Sequence, residues 1–232
     1  MRIAVFHNLP SGGAKRVLLE QVKRLSKRHE IDLYYFNISE GKMFSLESFC
    51  RKTYKYSIID SQKYGSLKPF IKYIQLMQII LLSKKIAQKI DSKNYNLVFL
   101  HPCQITQAPI ILKYIKTKTV YYAHEPLREV YERFPEKNVT FKERTNRIIL
   151  FFYKQIRKYL DRISIKKADL ILCNSKFTQK NLHKIYDVKA SVVYPGIDIQ
   201  KFAPIIHIKI NAVLSVGRLN IAKGHEFIIE SL

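Results

Sequence analysis

The sequence predicts an α/β protein, a Rossmann-like parallel sheet with helices on both faces. Three observations predict it. Strand-like and helix-like segments alternate from the first residues. The strand segments are short, nearly continuous apolar runs, as strands covered on both faces require. The residues suited to ligand chemistry fall just after those runs, where such sheets bind their ligands.

Residues 2–7 (RIAVFH) read as the first buried strand. Ser11-Gly12-Gly13 interrupts it. Residues 14–28 then read as a helix, with Ala14, Val17, Leu18, Val22 and Leu25 on one side. Residues 31–36 are strand-like, and 54–59 carry a weaker strand pattern. Residues 66–90 read as a long helix, because Lys68, Lys72, Gln75, Gln78, Lys85 and Lys89 recur at helical spacing. Strand 96–100, helix 105–116 and strand 118–123 follow, then a loop with Pro126 and Pro135. A second long basic helix spans 141–167, followed by strand 169–173, helix 176–186 and strand 190–194. Crossovers between parallel strands are right-handed, so the sheet has few admissible topologies.

Tyr194-Pro195-Gly196 ends that run, which makes residues 1–196 one domain. Residues 197–210 read as an interdomain connection with Pro204 inside. Residues 211–232 read as one β-α unit: strand 212–216, a turn at Gly217-Arg218 and a helix over 223–232. A lone strand and helix cannot bury both their faces. The sequence therefore reads as stopping just inside an incomplete second domain.

Composition narrows the partners. The chain has 232 residues, 41 Lys+Arg against 18 Asp+Glu, and a formal net charge of +23. The pI is near 9.9. Such a surface favours anionic partners: nucleic acid, an acidic membrane, or a phosphorylated small molecule. The basic residues are spread from Lys15 to Lys223, with no basic arm, no Cys/His finger and no aromatic RNA-stacking motif, so nucleic acid is not expected. Apolar residues make up 47 % with 7 Gly and 8 Pro, which argues against disorder. Apolar stretches are broken by Lys or Gln before a membrane span's length. No signal-peptide pattern opens the chain. Cys50, Cys103 and Cys173 are too few and scattered for a disulfide framework or zinc knuckle, which favours a reducing, cytoplasmic setting.

The positions after the strands hold the candidate chemistry: Ser11 to Gly13, His101 to Gln104, His124 to Arg128, and Asn174-Ser175. Gly12-Gly13 stands between strand and helix. Glycine lets backbone approach a ligand, and a helix start offers free N–H groups, so the pair suits a phosphate or a simple tight turn. His124 ends the strand before Glu125-Pro126, where it can reach a sugar hydroxyl or phosphate, or serve the loop structurally. His101 has the same placement. Cys103 lacks an identifiable base and reads as a small residue. Ser175 suits the N-cap of the helix that follows. Arg218 and Lys223 flank the last turn and can converge on a diphosphate, or remain solvated surface charges. The two long basic helices can pack on the sheet, lie on an anionic membrane, or do both.

Five segments, in order, resemble the retaining glycosyltransferases of family 4, which have the two-domain GT-B fold. They are NLPSGGAKRVLLEQVKRL (8–25), YYAHEP (121–126), ADLILCNSKFT (168–178), VVYPGIDIQKF (192–202) and SVGRLNIAKG (215–224). The resemblance implies an acceptor-side N-terminal domain and the opening of a donor-binding domain. It implies transfer of a sugar from a nucleoside-diphosphate sugar to a lipid-linked or glycan acceptor, with retention of configuration. Gly12 and Gly13 would close over the donor diphosphate, and His124 would lie beside the transferred sugar. Arg218 and Lys223 would grip the diphosphate, with no metal and no cofactor. Tyr194, Pro195 and Gly196 would sit at the hinge. Lys15 stands where the family often has Glu, and the family's Glu-x7-Glu pair lies beyond residue 232. The expected setting is cytoplasmic, on cell-envelope glycans, with peripheral contact to the inner membrane face. The alternative reading is a basic module without catalysis that docks on anionic membrane or glycan intermediates.

Overall fold

The structure is a computed structural model. It describes residues 1–39, 44–132, 141–200, 202–203, 211–217 and 224–232, without the side chains of Ser39 and 141–146. The chain divides into two compact units, Met1–Pro195 and Gly196–Leu232.

The first unit is built on a seven-stranded, all-parallel sheet in the order β3-β2-β1-β4-β5-β6-β7. The strands are β1 (Arg2–Asn8), β2 (Glu30–Phe36), β3 (Lys52–Tyr56), β4 (Leu97–Cys103), β5 (Thr119–Ala123), β6 (Leu170–Cys173) and β7 (Ser191–Val192). The helices are α1 (Gly13–Leu25), α2 (Lys68–Asp91), the single turn α3 (Arg128–Tyr131), α4 (Phe141–Ile165) and α5 (Lys176–Tyr186), with α6 (His225–Glu230) in the second unit. Sequence order reverses between β1 and β4. That reversal opens a crevice beyond the carboxyl ends of the two strands.

Alternation along each strand feeds two cores. Phe6, Tyr34, Leu100 and Tyr121 face one side and pack with Leu76 and Ile79 of α2, Tyr153 and Leu160 of α4, and Leu182 of α5. Their neighbours Val5, Leu33, Phe99 and Tyr122 face the other side, where Leu18 and Val22 of α1 cover them. Each such side chain contributes about 1.5–3 kcal/mol by leaving water. A charge at Leu18, which is fully buried, would therefore detach α1 from the sheet. Lys23 and Arg24 in the last turn of α1 match its dipole. Pro69 opens α2 where no intrahelical N–H is needed.

Three elements differ from expectation. Residues 105–116 form only a short 3₁₀ turn over Ile110–Lys113. Pro109 lacks an N–H, and Gln107 takes a φ of 56°, so a helix cannot run through them. Their apolar residues still join the core: Ile105, Ala108, Ile110, Ile111 and Leu112 are buried. Strand 190–194 contracts to Ser191–Val192 at the sheet edge. Residues 212–216 form no strand, because among the described residues no neighbouring strand offers them hydrogen bonds.

In the second unit the described residues hold α6, whose Phe227 and Ile229 are exposed. Ser215 Oγ lies 2.7 Å from His225 Nδ1.

Candidate functional site

Three histidines end three adjacent strands at the crevice: His7 on β1, His101 on β4 and His124 just past β5. His7 and His101 are buried outright. His7 Nδ1 accepts the Leu9 N–H at 3.1 Å, and its ring stacks on Tyr35. Burial, then the charge of Lys15, push the His7 pKa down to about 3. Burial alone pushes His124 down to about 4. His101 is driven well below the ordinary value by burial, then by its histidine neighbours. All three rings are therefore neutral at pH 7.

His124 is held from several sides. Its Nε2 lies 3.4 Å from His101 Nδ1. Its backbone carbonyl accepts from Asn174 Nδ2 at 3.0 Å and from Thr178 Oγ1 at 3.3 Å. Ser175 caps α5 by accepting the Thr178 N–H, which fixes Thr178 in that position. His101 stacks on Tyr122, with centroids 5.3 Å apart. The Tyr122 hydroxyl donates to the carbonyl of Val193 at 2.7 Å, one residue before Tyr194. Tyr194 and Pro195 end the first unit and Gly196 opens the second.

Gly12 precedes α1 and Gly13 begins it, with no side chain capping the first turn. A Cβ on Gly13 would meet nothing within 4 Å. Lys15, in that turn, is buried. Arg218 and Lys223 lie outside the described residues.

A second polar region adjoins the carboxyl edge of the sheet. A cleft of about 230 Å³ is lined by Lys72 and Gln75 of α2, Gln104 after β4, Glu129 of α3, and Tyr153 and Arg157 of α4. Arg157 is buried and donates to Glu129 at 2.7 Å and to the Ile105 carbonyl at 2.5 Å. Burial raises the Glu129 carboxyl, but the Arg157 bond and nearby cations outweigh it and leave it below the usual range. The Lys72 ammonium lies 5.5 Å from the Tyr153 ring centroid, and burial lowers its pKa. Beneath the cleft, Asp161 accepts from the Ala108 N–H at 2.9 Å and from the Tyr186 hydroxyl at 2.5 Å.

The fold brings His124, His101 and Asn174-Ser175 together, as the strand-end rule requires. His7, Asn8, Lys72 and Arg157 escaped the sequence reading. His7 carried a usable signal, since it ends the first strand. Lys72 and Arg157 carried none, because a lysine in a long basic helix looks solvated. Cys103 is buried and accepts from Asn8 Nδ2 at 3.1 Å, in line with a packing residue. Among the described residues, no group of three or more His, Cys, Asp or Glu side chains could hold a metal ion. No described helix is long and apolar enough to cross a membrane.

Comparison with known proteins gives this geometry a family. The family model described as Glycosyltransferase Family 4 matches residues 11–201. The N-acetylgalactosamine-N,N'-diacetylbacillosaminyl-diphospho-undecaprenol 4-alpha-N-acetylgalactosaminyltransferase of Campylobacter jejuni is 26 % identical over 244 residues, covering 99 % of this chain and 58 % of its own. The chain thus spans a little over half the length of that curated relative. Among solved structures, Alr3699/HepE of Anabaena, in complex with UDP and glucose, is 20 % identical with a TM-score of 0.49, over 86 % of this chain and 46 % of that one. The apo lipopolysaccharide outer core galactosyltransferase WaaB is 13 % identical with a TM-score of 0.46, over 86 % and 47 %. Since the family model spans most of the chain, including the Gly-Gly loop and His124, the protein belongs to glycosyltransferase family 4.

Proposed function

We propose that the protein works in the transfer of a sugar from a nucleoside-diphosphate sugar to a glycan or lipid-linked acceptor, with retention of configuration. The family supports the reaction class. One observation supports the site: His124 stands at the sheet's carboxyl edge, neutral and fixed by His101, Asn174 and Thr178.

Departure of a nucleoside diphosphate leaves positive charge on the sugar ring. An imidazolium beside it would oppose that charge. A neutral ring held out of water does not, and its Nδ1 makes no hydrogen bond among the described residues, so it can meet a sugar hydroxyl. Gly12 and Gly13 supply backbone N–H groups to the diphosphate. Arg218 and Lys223 offset the charge on the leaving group, and Tyr194 to Gly196 act as the hinge. The polar cleft of Lys72 and Arg157 takes the acceptor. This chemistry needs no metal. The setting that fits is the cytoplasmic face of the cell envelope, on envelope polysaccharide.

The test uses the full-length protein with a panel of nucleoside-diphosphate sugars and a lipid-linked acceptor fraction. Transferred radiolabelled sugar is followed. Transfer is expected from one donor, and His124→Ala is expected to lower it by about 100-fold or more. Absence of transfer from every donor, or a fully active His124→Ala, would sink the reading.

A further inference from the structure

The helix α2 buries one side against the sheet, through Leu76, Ile79, Ile86 and Ile90. Its opposite side is also apolar, yet uncovered: Phe70, Ile74, Met77 and Leu81 are exposed. Their spacing of four, three and four residues sets them in one stripe. The helix α4 repeats the pattern with Ile148, Phe152, Ile156 and Tyr159. Across both stripes these side chains are 41–65 % exposed, and their alignment along one helix side makes a patch rather than scattered surface groups.

The two stripes are neighbours. The Tyr73 hydroxyl donates to the Ile149 carbonyl at 2.6 Å, and Tyr73 meets the Tyr153 ring edge-on. Phe70, Ile74 and Met77 lie within about one turn of Tyr73. Ile148 and Phe152 lie within one turn of Ile149. The stripes therefore border the same seam.

The charge around them is mostly positive, and the acid at the seam, Glu129, is paired with Arg157. Lys84 and Lys85 are exposed at the end of the α2 stripe. On α4, the exposed Arg147, Lys154 and Arg162 follow at spacings of seven and eight, as a second stripe beside the apolar one. The only acid in α2 is Asp91, which accepts from the Lys116 and Thr117 N–H groups. The only acid between Arg147 and Ile165 is Asp161, which is buried. A second copy of the chain would bring the same cations face to face, in a molecule already at +23. An anionic surface with an apolar interior meets both features. No described helix is apolar enough to span a bilayer, so the helices would lie on it.

We propose that the α2–α4 face is a docking surface for an anionic lipid bilayer, with Phe70, Met77, Ile148 and Phe152 entering the acyl boundary and Lys84, Arg147 and Lys154 at headgroup level. This rests on the transfer reading only for its purpose, which is to bring the acceptor side of the protein to a membrane-borne acceptor.

The test is co-sedimentation of the full chain with two kinds of vesicle: phosphatidylcholine alone, and two parts phosphatidylcholine to one part phosphatidylglycerol. Binding to the anionic vesicles should be at least tenfold tighter, and should weaken with salt. The double variant Met77→Asp/Phe152→Asp should lose that binding at least tenfold. Both positions are exposed, so its melting temperature should match the parent's. A second variant, Lys84→Glu/Lys154→Glu, removes only charge and serves if the first fails to fold. Equal binding to both vesicles, no binding, or unchanged binding by the folded variants would overturn the proposal. So would a solution dimer by light scattering that Met77→Asp/Phe152→Asp dissociates, since the face would then belong to a second copy. Sugar transfer to a water-soluble acceptor should be unchanged in both variants. Failure of docking and failure of the transfer reading are thus separately visible.

Discussion

Nε2 of His124 lies 3.4 Å from Nδ1 of His101, so two neutral imidazoles share one hydrogen position. The tautomer of one ring then fixes that of the other. His101 is fully buried, and its Nε2 has no hydrogen-bond partner among the described residues. A buried, unpaired ring nitrogen costs about 1–3 kcal/mol. Stability alone would favour a hydrocarbon there, so the ring is best understood through what it does to His124.

His101→Phe tests that relationship. Phenylalanine keeps the stack on Tyr122 but offers His124 no partner. The expected result is about a tenfold fall in kcat with KM for the donor little changed, since only orientation is lost. The ¹⁵N shifts of His124 should move from one tautomer toward a mixture. Thermal stability should hold or rise, which a purely structural role for His101 would not allow.

Acid should destabilise the first unit through the same histidines. In the unfolded chain each takes a proton near pH 6.5. In the folded chain His7 resists to about 3 and His124 to about 4, and His101 is lowered as well. Between those values and 6.5 the unfolded state binds more protons, so stability rises with pH across the window. The loss on going from pH 7 to pH 4 should reach up to about 3 kcal/mol each for His7 and His124, with His101 acting in the same direction. Urea midpoints measured at pH 4, 5, 6 and 7 follow it, and His7→Phe should flatten the slope. A flat profile would show that water reaches the rings.

His101 and His124 were legible in the sequence because their strands were, and the same count would have reached His7. Apolar runs such as 3–6 and 97–100 are too short for helices and read as buried strands, and a residue's place after a run is then fixed by counting. Ser175 was legible as a cap for the same local reason. What could not be counted was packing between elements distant in sequence. Lys72 and Arg157 come together because α2 and α4 meet at Tyr73 and Ile149, and nothing in either helix announces that seam. The 105–116 segment misled because its apolar residues follow helical spacing, while Pro109 decides the backbone. The outward stripes of α2 and α4 were readable as basic helices. Only burial separates the side on the sheet from the side in water.

Asp161 should act against the histidines. Burial pushes its carboxyl up to about 7, further than the bonds from Tyr186 and Ala108 pull it down. In the unfolded chain it ionises near 3.9. Between those values the folded state holds the extra proton, so this group's contribution falls as pH rises, opposite in sign to the histidines. Asp161→Asn removes the titration and keeps Oδ1 as an acceptor for the Ala108 N–H. The variant's stability should therefore climb more steeply from pH 4 to 7 than the parent's. Asp161→Ala leaves the Ala108 N–H and the Tyr186 hydroxyl without that partner, and should cost about 2–4 kcal/mol at any pH. Equal pH slopes for parent and Asp161→Asn would mean that the carboxyl is ionised throughout.

Gly13→Ala separates what the fold needs from what the proposed donor needs. Gly13 is the first residue of α1, and an added Cβ would meet nothing within 4 Å. Nothing in the first unit therefore resists the methyl. Alanine also loses less backbone freedom on entering a helix, by up to about 1 kcal/mol. The melting temperature should stay level or rise by a few degrees. A diphosphate seated on the first-turn N–H groups would meet that methyl directly. KM for the nucleoside-diphosphate sugar should then rise by about tenfold, equivalent to about 1.4 kcal/mol of lost binding. Calorimetry and donor kinetics on one preparation read both effects. A more stable protein with weaker donor binding would mark the glycine as kept for the ligand. A more stable protein with unchanged KM would mark Gly12-Gly13 as a turn, and the diphosphate would have to be bound elsewhere.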